Sequence, residues 1–165
     1  MTSSRTWHNG RMLLATSSHS TLFDVVLIAH ILVGIAALVL VVVTYVSALH
    51  LPRGDESAKQ FFRPGAQWPL RIVHLLPVTG VVLVLTSHHD FAFSNPFIGI
   101  GFAIWFIMSG ILEGMVMPSV RVTVSSVAEH GAVDAAKLAR IRYGLDATAV
   151  LLIVAAVVMV AQPGS

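Results

Sequence analysis

With 165 residues, 56% of them hydrophobic and only 11% charged, the chain departs from ordinary soluble domains, which carry about 25% charged and 45–50% apolar residues. That composition and a mean hydropathy of +0.83 argue against a soluble enzyme and for a single integral membrane bundle, and the net charge is +2. The absence of cysteine excludes disulfides, thiolate metal sites, iron–sulfur clusters and cysteine nucleophiles, and eight histidines are many for so small a membrane chain.

Residues 1–21 read as a polar extracytoplasmic tail. Its only apolar piece, residues 12–15, is too short for the core of a signal peptide, so the first span is expected to be an uncleaved anchor. Residues 22–163 read as one four-helix membrane domain with spans at about 25–49, 70–87, 96–117 and 143–161. Each approaches the roughly 20 residues that cross a hydrocarbon core. Their continuous apolar character, without the alternation of a membrane barrel, predicts helices, hence an all-α transmembrane bundle. Pro52, Pro64, Pro69, Pro96 and Pro118 fall in loops or at span ends, whereas Pro77 lies inside the second span and is expected to bend it beside His74. Residues 132–142 have a helical pattern that extends the fourth span into the cytoplasm.

Arg53, Lys59, Arg63 and Arg71 flank one loop, and Arg121, Lys137, Arg140 and Arg142 the other, against Arg5 and Arg11 on the opposite side. Eight cations against two place both termini outside. The basic loops suit anionic lipid headgroups, and nucleic acid is not implied as a partner. Trp68 and Tyr143, near span starts, match the aromatic interface belt.

Gly110 and Gly114 form a GxxxG in the third span, near Gly99, Gly101 and Ser109, and Gly34 with Ala36 and Ala37 makes a similar small patch in the first. Small residues at this spacing let helix backbones approach closely, either within the bundle or in a homodimer.

Ionisable residues inside a span are costly and ordinarily face a partner. There are four: His30, His74, Glu113 and Asp146. A rise of about 1.5 Å per residue puts His74, Glu113 and Asp146 at one inner level and His30 roughly 15 Å away toward the outer side. His30 and His74 therefore make a poor bis-histidine pair. An outer haem or metal site would join His30 to His88 or His89, with Asp90 and the tail residues His8 and His19 on the same side. An inner site would use His74 with His50, or with Glu113 and Asp146 for a non-haem metal.

Plainer roles stand beside these. Arg142 and Asp146 are four apart and suited to pair. Glu113 is placed to pair with Arg71 or His74 and tie the bundle, and His74 to donate to the carbonyl freed by Pro77. Gly34, one turn from His30, clears room for a flat ring, a helix or a lipid. Residues 88–90 read equally as a solvated loop. Histidines near their neutral pKa also suit proton relay. The chain holds no P-loop, GxSxG, HExxH or GxGxxG, so no catalytic residue is assigned.

The stretch Ala29-His30-Ile31-Leu32-Val33-Gly34 resembles the opening of a family of small predicted bacterial integral membrane proteins, domain-of-unknown-function family 2269. Leu76-Pro77-Val78-Thr79-Gly80 resembles that family's second span, and Pro118 with the Arg-bearing helix and a fourth span ending near Pro163 is similar too. The resemblance covers roughly residues 24–163. It extends distantly to copper-resistance permease domains and to the haem-dependent protoporphyrinogen oxidase of bacteria. In that oxidase a first-span histidine binds haem, which implies His30 here; its companion second-span lysine has no equivalent in this chain.

These readings predict a multi-pass protein of the bacterial cytoplasmic (inner) membrane. It is foremost an accessory or structural subunit, with the lipid bilayer, other membrane subunits or a second copy as partners. The alternatives are a redox protein holding haem b or copper at His30, and a small proton-coupled transporter using His74, Glu113 and Asp146.

Overall fold

The computed structural model describes residues 9–87, 91–130 and 133–162, with side chains over 21–87, 91–129 and 133–162. All regular structure among the described residues is helical. Four segments are long and apolar enough to cross a membrane: Thr21–Arg53, Trp68–Thr86, Pro96–Glu129 and Ala135–Ala161. They correspond to the four spans expected from hydropathy, with altered ends.

The first span belongs to helix α1, Asn9–His50. From residue 9 on, the polar tail is wound into that same helix. Residues 11–15 are good helix formers and no proline interrupts the chain before Pro52. Within the apolar stretch the Thr44 and Ser47 hydroxyls donate to the Leu40 and Val43 carbonyls, both at 2.8 Å, which satisfies them without a partner helix.

The helix stops at a tight 3-10 turn, Leu51–Arg53, closed by Gly54 at φ +74°. Glycine adopts that left-handed geometry without a Cβ penalty. A short helix α2, Glu56–Phe61, follows, and α1 is covered by it through buried Ala58 and neighbouring Phe62.

Asp55 caps α2, its carboxylate accepting from the Ser57 amide at 3.1 Å and the Ser57 hydroxyl at 2.8 Å, with His50 Nδ1 at 3.4 Å. The Ser57 hydroxyl foremost, then its amide, then His50, hold this carboxyl below its ordinary value. A depressed carboxylate contributes stability that is full above its unfolded pKa and lost as pH falls through the folded one. Hydrogen exchange over residues 56–61, corrected for intrinsic rates, should therefore show α2 opening as acid reaches below the usual carboxylate range. Asp55→Asn, still a competent cap, should flatten that dependence; an unchanged profile would discard the cap as its origin.

The second span starts as a 3-10 helix, Trp68–His74, and continues as α3, Leu75–Thr86. Pro77 is the third residue of α3, just past the junction where the Leu75 amide donates back to the Ile72 and Val73 carbonyls of the 3-10 helix. The irregularity expected beside His74 thus takes the form of a change of winding at that residue.

The third span runs past the end expected for it. Helix α4, Pro96–Ile111, passes through a π-turn, Leu112–Val116, into α5, Met117–His130. Pro118 is accordingly interior to a continuous helical segment. The Met117 amide donates to the Leu112 carbonyl, five residues back. This widened turn lies where the ring of Pro118 and its missing N–H would otherwise disrupt an α-helix.

The fourth span is α6, Ala135–Ala161, capped by Asp134, which accepts from the Ala136 and Lys137 amides at 2.8 and 3.3 Å. The segment upstream of Tyr143 is the helical extension the pattern predicted.

Helix α1 packs on α3 on one side and α6 on the other, and α6 packs on α4 and α5. Around the bundle the order is second, first, fourth and third span. The joint between α3 and α4 that closes the ring is the sparsest of the four. The core gathers Ala37, Val41 and Ala48 of α1, Met108, Leu112 and Val116 of the third span, and Ile141, Leu145 and Thr148 of α6.

Gly144, buried on α6, is hemmed in by side chains of the third span. A Cβ there would run into the Val116 side chain, lie 2.8 Å from Met115 Cε and 3.5 Å from Ile111 Cγ2. Gly110 and Gly114 have nothing within 4 Å of the same position. The GxxxG therefore does not seat another span of this chain, and Gly34 meets only Leu76 Cδ2, at 3.8 Å. Outward faces are apolar, with Leu85 70% and Val160 86% exposed, as for a surface solvated by lipid rather than water.

Candidate functional site

The sparse joint between the second and third spans holds the polar cluster. A 3-10 helix has three residues per turn, so side chains three apart stack above one another. The winding over Trp68–His74 thereby aligns Trp68, Arg71 and His74 in one column. The guanidinium of Arg71 lies 4.6 Å from the Trp68 ring centroid, a cation–π contact.

Glu113, carried by the π-turn, meets this column. Arg71 Nη2 donates to Oε2 at 3.3 Å, and Nε lies 3.2 Å from Oε1, an ion pair with one hydrogen bond. His74 Nε2 reaches Oε1 at 3.3 Å, as donor in the tautomer a carboxylate requires. The His74 ring also meets Trp105 edge-on, 6.1 Å between centroids. The depth arithmetic that put His74 and Glu113 at one level is thus matched by direct contact. His74 bonds Glu113, not the carbonyl freed by Pro77.

The cluster extends along the third span in a way the sequence reading missed. Trp105, Ser109 and Glu113 are spaced four apart, and Trp105 Nε1 and Ser109 Oγ are buried without a hydrogen-bond partner among the described residues. Three side chains with polar atoms at helical spacing in an apolar span were the available signal.

Asp146 lies apart from this cluster. It is exposed on α6 and makes no hydrogen bond or ion pair with Glu113, His74 or Arg142 among the described residues. His50, at the end of the first span, pairs with Asp55 just beyond it. His30 occupies the first–second span joint, where Nδ1 lies 2.6 Å from Thr79 Oγ1. The glycine beside its ring is Gly80 rather than Gly34: a Cβ on Gly80 would lie 3.7 Å from His30 Cε1.

The donor set can be tested against the haem or copper implied by the resemblance. His88, His89 and Asp90 lie outside the described residues, as does His8, and the side chain of His19 is likewise not described. Among the described residues no three His, Cys, Asp or Glu side chains gather to hold a metal ion. The polar partner of His30 is a hydroxyl, a poor second ligand for either group. The residues in view do not compose a haem or copper site.

What the Arg71–Glu113–His74 cluster does chemically is fix a carboxylate. Side chains of Arg71, His74 and Glu113 are 34–38% exposed. The partial exposure screens the pairing, and its net worth is about 1–2 kcal/mol rather than the value of a fully buried pair.

Comparison with family models, with curated proteins and with solved structures finds no match for this chain.

Proposed function

We propose that this chain is an accessory or structural subunit of a membrane complex. It is a multi-pass protein of the bacterial cytoplasmic (inner) membrane with both termini outside. The observation that carries this reading is the outward face of the third span. Gly110 and Gly114 are exposed, with open space beside both, and Phe106 and Ile107 flank them, also exposed. Small residues four apart let a second membrane helix approach to backbone contact, and among the described residues no atom fills the space beside either glycine, the fourth span reaching only the far rim of the hollow at Gly114 with Lys137 and Arg140.

The ionic cluster supports the same reading. A guanidinium ion-paired and hydrogen-bonded to it holds the carboxylate in place, whereas a proton carrier has to release its partner in each cycle. Orientation rests on the loop cations: Arg71 and Arg121 border one hollow with Trp68, and Lys137 and Arg140 border another with Pro118, so the basic residues share the end assigned to the cytoplasm.

The full chain, purified in mild detergent from its native membrane, should carry a stoichiometric partner or a second copy. Gly110→Leu and Gly114→Leu should each weaken that association about tenfold or more by displacing the partner backbone, with the helical circular dichroism unchanged. A wild-type protein that runs as a lone chain at every detergent concentration would end the proposal.

A further inference from the structure

We propose that the hollow between the start of the second span and the inner part of the third binds the phosphate headgroup of an anionic phospholipid. The hollow measures about 110 Å³ and is lined by Gln67, Trp68, Arg71, Met117 and Arg121. This goes beyond the subunit reading and does not depend on any partner chain.

Charge is the first argument. Arg121 is exposed and makes no ion pair among the described residues. Arg71 donates Nη2 to Glu113 and turns Nε toward it, and a guanidinium has five N–H donors, so Nη1 remains available to a ligand. Arg71, Arg121 and Glu113 together carry one net positive charge, the complement of one phosphodiester. Two guanidiniums in one hollow also offer the fork geometry that suits phosphate oxygens.

Gln67 supplies a second, independent observation. Its Oε1 is shut off from solvent without a hydrogen-bond partner, and a buried acceptor is costly to leave unpaired. Gln67 lines the hollow, so a rotation of its side-chain amide would present that acceptor to a headgroup hydroxyl such as the one on phosphatidylglycerol.

Position selects lipid over a free phosphate. Trp68, 64% exposed, is an indole at the first residue of the second span, the depth at which aromatic belts meet headgroups. Met117 provides an apolar wall beside the two cations. Phosphate above and hydrocarbon below is the pattern of a bilayer lipid.

The test is native mass spectrometry of the full chain in detergent, titrated with phosphatidylglycerol or with phosphatidylcholine. One phosphatidylglycerol should be retained in preference to phosphatidylcholine. Arg121→Gln should weaken its binding about fivefold, the worth of one interfacial cation, while Arg121→Lys keeps most of it. Arg63→Gln removes the same charge from a neighbouring loop outside the hollow and should change affinity by less than about twofold. Equal losses from Arg121→Gln and Arg63→Gln would reduce the effect to diffuse surface charge and overturn the site. So would equal retention of the two lipids. Displacement of phosphatidylglycerol by excess inorganic phosphate would identify a soluble phosphate ligand and overturn the lipid assignment.

Discussion

Arg71→Gln is expected to destabilise the chain more than Glu113→Gln, although the two side chains form one pair. Removing the guanidinium leaves Glu113 at the membrane level with His74 as its remaining partner and also removes the cation stacked on Trp68. Removing the carboxylate charge leaves Arg71 on Trp68, with a long stem that can carry its head toward the interface. After discounting for the partial exposure of all three groups, Arg71→Gln should cost about 2 kcal/mol and Glu113→Gln about 1 kcal/mol. The double variant should cost less than the two losses added, because the second change removes a group already left unpaired. Reversible unfolding in detergent free of anionic lipid gives these numbers without interference from headgroup binding. Strictly additive losses would mean that the Arg71–Glu113 pair contributes nothing to closing the ring between the second and third spans.

A single methyl group should separate two glycines that look equivalent in the sequence. At Gly144 an added Cβ meets Val116, whose β-branched side chain is fully buried and stiff about χ1. The third and fourth spans must then part, at about 1–3 kcal/mol for Gly144→Ala. At Gly110 the added group meets nothing, so Gly110→Ala should be neutral or stabilise the isolated chain by up to about 1 kcal/mol through helix propensity. Gly101→Ala falls between them, since the atom in its way is the flexible tip of Met159. Thermal unfolding of the three variants in one detergent decides the matter. If Gly144→Ala melts with wild type, the tight joint between the third and fourth spans is not where the structure puts it.

The spans were legible because hydropathy is a property of single residues summed along the chain, and every apolar run became a helix. The end of the third span was not legible, because a proline at residue 118 reads as a stop unless the preceding turn is known to widen. The GxxxG of the third span shows that small residues are present but not which way they face. Gly144 has more side-chain atoms crowding its Cβ position than any other described glycine, yet it stands among Arg142, Tyr143 and Asp146, where charge and aromaticity dominate the pattern.

Depth could be counted in residues, and for His74 and Glu113 the count sufficed. Rotation about each helix axis could not be counted, and it separates Asp146 from the other two. The column of Trp68, Arg71 and His74 depends on a local winding of three residues per turn, which no hydrophobic periodicity in so short a segment encodes.

That winding also settles a question of reach. The second span has 19 residues, and wound entirely as an α-helix it would extend about 28 Å, short of a hydrocarbon core about 30 Å thick. Seven of its residues are in the tighter helix, which rises about 2.0 Å per residue, and they lengthen the span to about 32 Å. The least generous of the four segments is thereby stretched to match the bilayer. Relaxing it to a uniform α-helix would draw Trp68 inward by about 3–4 Å or force the membrane to thin around it.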